Sequence, residues 1–248
     1  MSLLSRIAIP LAAAMLVALP AAAPAQTFSP DQRQQVESIV KDYLVAHPEV
    51  IQDVMAALDK KQKDAEAQQA HATIVANKAT LFNSPHQVVL GNPHGKIEVV
   101  EFFDYNCGFC KHALPDMLKL LDTDHDLKFV LKEFPVLGEG SVEAAHVAVA
   151  ARMQDPTKYI QFHQKLLGGR GAADKARALA VAKEVGFDMA RIQRDMASEE
   201  VNTTIAEDMK LADALGVNGT PSYVVGDELV VGAVGFDELK KKIDALQK

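Results

Sequence analysis

Apolar positions beyond residue 28 fall into two regimes. The first has helical spacing: Val36, Ile39, Val40, Tyr43 and Leu44 form one stripe, and Val50, Ile51, Val54, Met55 and Leu58 a second. Ser29-Pro30 opens the first stripe as a capping residue followed by a first-turn proline. His47-Pro48 separates the two, because proline cannot continue the bonding of the preceding turn. Lys60 to Ala70 is charged and rich in Ala and Gln, which predicts a solvated helix, and Asn83-Ser84-Pro85 reads as a linker. These features predict an N-terminal helical segment over residues 26–83. A lone helix cannot bury such a stripe. It must pack on the body of the chain or on further copies, and its place ahead of the main domain favours a homo-oligomer formed through residues 29–70. The heptad pattern is too short, and too broken at Pro48, to predict a coiled coil.

The second regime alternates strands and helices from residue 84 onward. Val88 to Leu90 predicts a short strand, and Gly91 to Gly95 a turn cluster. Ile97 to Phe103 is apolar on both faces, as in a central strand covered on each side. Ala113, Leu114, Met117, Leu118 and Leu121 then recur at helical spacing, with Pro115 inside the helix. Leu127 to Phe134 predicts a further strand. A block of helices follows, opened by Ser141, Asp155-Pro156, Asp174, Asp188 and Ser198. Ser222 to Val225 and Leu229 to Val231, joined by Gly226-Asp227, predict a hairpin, and a last helix starts near Phe236. The order is β-β-α-β, helices, then β-β-α, an α/β fold.

Residues 1–25 change the picture of compartment. Arg6, an apolar run from Ile7 to Leu19 and Ala23-Pro24-Ala25 read as a secretory signal peptide, with a mature start at Gln26. No later stretch approaches the roughly 20 apolar residues of a membrane span. The formal charge is −7 with no basic face, which argues against nucleic acid as a partner.

The chemistry concentrates in Glu101 to Pro115, EFFDYNCGFCKHALP, which holds both cysteines of the chain, Cys107 and Cys110. The pair lies at a strand-to-helix junction with Cys107 at the helix start. Unpaired N–H groups and the helix dipole favour a thiolate there, and hence a reactive thiol. A structural disulfide would close too small a ring to stabilise the fold much. A structural zinc site wants four ligands, and no second C-x-x-C or paired His accompanies this one. Glu101 is anomalous in an apolar strand, since a buried carboxylate needs a partner or a task. Lys132, on the following strand, is a candidate partner. Lys111 and His112 are candidates for stabilising the thiolate electrostatically.

Strand, C-x-x-C, helix with proline, strand, helical insertion, Thr220-Pro221 before a hairpin and a terminal helix together resemble the thioredoxin fold. With the insertion at about residues 139–216, residues 84–248 resemble the bacterial periplasmic DsbA-like thiol-disulfide oxidoreductases. The helical segment ahead of them resembles the extended branch that includes the suppressor-of-copper-sensitivity C proteins, some of which self-associate through this region. The resemblance makes Cys107 the exposed nucleophile and Cys110 the resolving thiol. It makes Glu101, six residues before Cys107, the buried acid that moves a proton at Cys110. It makes Thr220-Pro221 the loop facing the disulfide, with a cis proline. Gly108-Phe109 and Thr220 depart from the strong oxidant, whose dipeptide is Pro-His, and are closer to the isomerase-like pattern.

The expected mechanism is thiol–disulfide exchange: the Cys107 thiolate attacks a substrate disulfide, and Cys110 then attacks Cys107 to release the substrate. Thr220 and Pro221 would hold an extended client backbone, and Phe109 would offer it an apolar edge. Three functions stand open. An isomerase or reductase for exported proteins comes first, and it requires a membrane redox partner that resets the pair. A dithiol oxidase is second. A copper-binding protein using two soft thiolates is third. No cofactor is expected, and the resemblance implies the periplasm.

Overall fold

The computed structural model describes residues 28–247, so the expected signal peptide lies outside the described residues. The described residues divide into two compact units, the division falling between Ala57 and Leu58. In the first, α1 (Pro30–Ala46) is capped by Ser29. Its hydroxyl accepts from the Gln32 backbone while the Gln32 side chain returns a bond to the Ser29 N–H, so two otherwise orphaned donors are satisfied together. The helix stops at His47-Pro48, and α2 (Glu49–Ala76) follows. None of the residues of α1 is buried, and Val36, Ile39, Val40 and Tyr43 are exposed, as are Ile51, Val54 and Met55 of α2.

The second unit takes in α2 from Leu58 onward. Lys60 to Gln69 is exposed throughout, as expected for a solvated helix, but Ala70 and Ile74 are buried. The segment before Ser84 is more than a linker. A short helix, α3 (Lys78–Asn83), buries Leu81 and Phe82 completely, so the core begins well before residue 84.

The remaining order is β1 (Val88–Gly91), β2 (Ile97–Phe103), α4 (Gly108–Thr123), β3 (Leu127–Glu133), α5 (Glu139–Gln154), α6 (Pro156–Leu167), α7 (Lys175–Val185), α8 (Met189–Asp195), α9 (Glu199–Ala214), β4 (Ser222–Val225), β5 (Glu228–Val231) and α10 (Phe236–Ala245). Asp155, Asp174, Asp188 and Ser198 cap their helices with side-chain bonds, as their positions predict. Ser141 does not. The cap of α5 is Gly138, whose φ of 115° suits glycine, and Ser141 is buried inside the first turn.

The five strands run β1-β3-β2-β4-β5. Strands β2 and β3 are parallel and the other pairs antiparallel. Side chains alternate across a strand, so the central strand feeds two cores. Val99 and Phe103 join α4, the inserted helices and α10 on one face. Val100 and Phe102 join Ile74, Leu81, Phe82 and α9 on the other. Glu101 shares the parity of Val99 and Phe103, and therefore points toward α4.

Candidate active site

The junction between β2 and α4 sets the geometry. Cys107 is the N-cap of α4, with extended φ and ψ of −75° and 117°. Its sulfur accepts the Cys110 backbone N–H at 3.4 Å. An anion at that sulfur therefore faces a helix N-terminus. Both cysteines are free thiols. Cys110 is fully buried and Cys107 is 6% exposed, so Cys107 is more covered than the exposed thiol that the resemblance implies. Phe109, between them, is 69% exposed.

Residues 113 positions downstream close over the pair. Thr220-Pro221 is cis, and the Cys107 thiol donates to the Thr220 carbonyl at 3.1 Å. The Pro221 carbonyl in turn accepts from Gly232 at 2.9 Å, which ties the loop to the chain after β5. Cys107, Cys110 and the Thr220-Pro221 loop therefore stand side by side.

Glu101 lies beneath the pair, 3% exposed. Burial lifts its carboxyl to about 8, against a hydrogen bond from Tyr223 that favours the charged form. Burial and the Glu101 charge push the Cys110 thiol far above its ordinary value. Lys132 is not the partner of Glu101. In the β2–β3 register Glu101 faces Leu131, and Lys132 pairs with Phe102, one residue on and hence on the opposite face. There Lys132 meets Asp208 at 3.1 Å and Glu207 at 3.5 Å. Lys111 is also committed elsewhere, donating to the carbonyls of Gly169 and Gly171. His112 is exposed.

Asp104 and Asn106 were not singled out by sequence. The buried Asp104 carboxylate accepts from the backbone of Asn106, Val136 and Leu137 and from the Ser141 hydroxyl, at 2.7–3.0 Å. Asn106 donates to Ser141 and Ala173 and accepts from the Ala173 N–H. The loop before Cys107 is thereby fastened to the inserted helices. A short polar side chain three residues before the first cysteine is the one signal that points to Asp104, because such residues commonly bond backbone N–H groups in turns.

A dithiol at a helix N-terminus, a cis proline over its sulfur and an acid beneath it define a thioredoxin-like redox protein. Residues 98–244 match the DSBA-like thioredoxin domain, and the chain belongs to that family. Residues 32–65 match the copper resistance protein ScsC N-terminal domain. A solved thioredoxin-like oxidoreductase from Silicibacter pomeroyi DSS-3 is 47% identical and superposes with a TM-score of 0.66, covering 69% of this chain and 98% of that one. Proteus mirabilis ScsC in a transitional conformation is 26% identical, with a TM-score of 0.66, over 88% of this chain and 98% of that one. Disulfide bond formation protein D of Bacillus subtilis is 26% identical over 168 residues, 64% of this chain and 76% of its own. Some curated relatives are much longer: the chain spans 24% of the length of a Na(+)/H(+) antiporter NhaA 1 from Salinispora arenicola, at 25% identity. Among the described residues no helix is long and apolar enough to cross a membrane.

Proposed function

We propose that this protein is a periplasmic disulfide isomerase or reductase that acts on exported proteins through Cys107 and Cys110. The observation that carries the reading is the Cys107 sulfur held at a helix N-terminus, 3.1 Å from the Thr220 carbonyl of a cis-proline loop. The thiolate attacks one sulfur of a client disulfide, the other client sulfur leaves with the electron pair, and Cys107 is joined to the client. The client thiolate can then attack elsewhere and rearrange, or Cys110 can displace it and leave Cys107–Cys110 oxidised. Oxidised pairs would be returned to the dithiol by a membrane redox partner. Phe109, exposed beside the sulfur, suits apolar segments of unfolded clients. The Gly108-Phe109 dipeptide and Thr220 favour isomerase over dithiol oxidase. The expected homo-oligomer through residues 29–70 would set several such sites against one client.

The test is recovery of activity by an enzyme with scrambled disulfides. The chain from Gln26 is compared with one from Leu58, which keeps Ile74, Leu81 and Phe82 in the core. Recovery by the longer chain alone makes the helices part of the working form. Recovery by both supports isomerase action without them. No recovery by either, with rapid oxidation of a reduced substrate, makes the protein a dithiol oxidase.

A further inference from the structure

The acid beneath the cysteines has a neighbour that the exchange chemistry has not yet used. In the antiparallel β2–β4 pair, Tyr223 stands directly opposite Glu101. Residues so paired carry their side chains on one face with Cβ atoms about 5 Å apart. Tyr223 is 1% exposed and packs in the same core as Cys107 and Cys110, and its hydroxyl favours the charged form of the Glu101 carboxyl. The strand that carries it begins one residue after Pro221, so the loop over Cys107 and the hydroxyl under Cys110 are parts of one short segment.

We propose that the Tyr223 hydroxyl is a positioning residue: it donates to the Glu101 carboxylate and holds it ready to take the proton of Cys110. The inference rests on the exchange reading above. In the resolving step the Cys110 proton passes to Glu101. The Cys110 sulfur then attacks the Cys107 sulfur, the Cys107–Cys110 bond forms, the bond from Cys107 to the client breaks, and the electron pair leaves on the client thiolate. Glu101 must be ionised at the start of that step. Its cost of ionisation is set by burial, and among the described residues no cation relieves it: β3 offers Leu131 on that face, while the α4 end offers Cys107, Cys110 and, toward Tyr223, Asp116. The hydroxyl is the group that favours the charged carboxylate.

The test uses the full chain, reduced, with carbon-13 in the Glu carboxyls. Wild type, Tyr223→Phe, Glu101→Gln and the double variant are titrated from pH 5 to 10. The rate at which Cys110 displaces a small thiol from Cys107 is followed over the same range. Wild type is expected to show a carboxyl titrating near 8 that Glu101→Gln removes. Tyr223→Phe should move that titration up by about one pH unit and slow displacement about tenfold at pH 7. In the Glu101→Gln background, Tyr223→Phe should change nothing further. An unmoved titration overturns the proposal, and so does an equal slowing in both backgrounds, which would mark Tyr223 as structural. A wild-type chain that performs no displacement at all overturns the exchange reading instead.

Discussion

Lys132 and Asp208 form an ion pair of 3.1 Å with both side chains buried, on the face of the sheet turned away from the cysteines. Lys132 also donates to the Thr80 carbonyl, and Asp208 accepts the Glu133 backbone N–H, so the pair joins α3, β3 and α9. Burial raises Asp208 to about 7 even against the pull of Lys132. Lys132→Met removes one partner and leaves a buried carboxyl. The expected loss is roughly 3–5 kcal/mol at pH 8, where that carboxyl must carry charge or take up a proton. The loss should shrink toward pH 5, where Asp208 is neutral. Urea unfolding at the two pH values measures both. Exchange per folded molecule should match wild type, because the pair is on the wrong face to touch the thiols.

Glu101 carries the opposite signature, a stability cost tied to the site itself. Its carboxyl is raised from 4.5 to about 8, so the folded chain holds a proton that the unfolded chain releases. Below pH 4.5 both states are protonated and the group is neutral to stability. Between pH 4.5 and 8 stability falls as pH rises, and above 8 the full cost is present. Glu101→Gln removes the ionisable group. It is expected to leave stability at pH 4 nearly unchanged and to raise it at pH 8 by a few kcal/mol. Denaturant midpoints of the reduced protein across this range decide it. A flat difference between variant and wild type would mean that Glu101 is ionised cheaply and is not the proton acceptor for Cys110.

The fully buried Cys110 and the slightly exposed Cys107 predict unequal outcomes for two serine variants. Cys110→Ser keeps the attacking sulfur and removes the displacing one. A covalent one-to-one adduct with a disulfide-bearing client should accumulate, visible on a non-reducing gel and reversed by thiol. Cys107→Ser should form no adduct and lose exchange, because the remaining thiol is buried and held protonated by its surroundings. Adducts on Cys110 in that variant would reverse the roles of the two cysteines.

The sheet, the helix bearing the cysteines and the hairpin after Pro221 were legible because each is a local pattern. Ile97–Phe103 is apolar except at Glu98 and Glu101, and four of the inserted helices start at a capping side chain. What stayed hidden depends on register or on backbone partners. Lys132 and Leu131 differ by one position, and that single step decides which face of the sheet meets Glu101. Tyr223 lies over a hundred residues from Glu101, and only strand pairing makes them neighbours. Asp104 acts through the N–H groups of Val136 and Leu137, which no side-chain pattern marks. Leu81 and Phe82 sit in a helix too short to show a period, so their burial in the second core was not visible.

The N-terminal stripe yields the last prediction. Ile39 is 67% exposed and Val40, Tyr43, Val54 and Met55 are each at least half exposed, on α1, which Ser29 caps, and on α2. Exposed apolar patches of this kind mark association surfaces. The chain from Gln26 is expected to sediment as a homo-oligomer, and the chain from Leu58 as a monomer. Ile39→Glu with Val40→Glu places charges in the stripe and should convert the longer chain to a monomer. Each buried apolar side chain contributes roughly 1.5–3 kcal/mol, so losing two of them in every subunit and burying charge in their place weakens assembly steeply. The double variant should keep its ability to exchange with a small disulfide, since the contacts that build the Cys107 site all come from residues of the second unit. If isomerase action on a scrambled protein falls while small-disulfide exchange persists, the assembled sites act together on one client. If both persist, one site suffices.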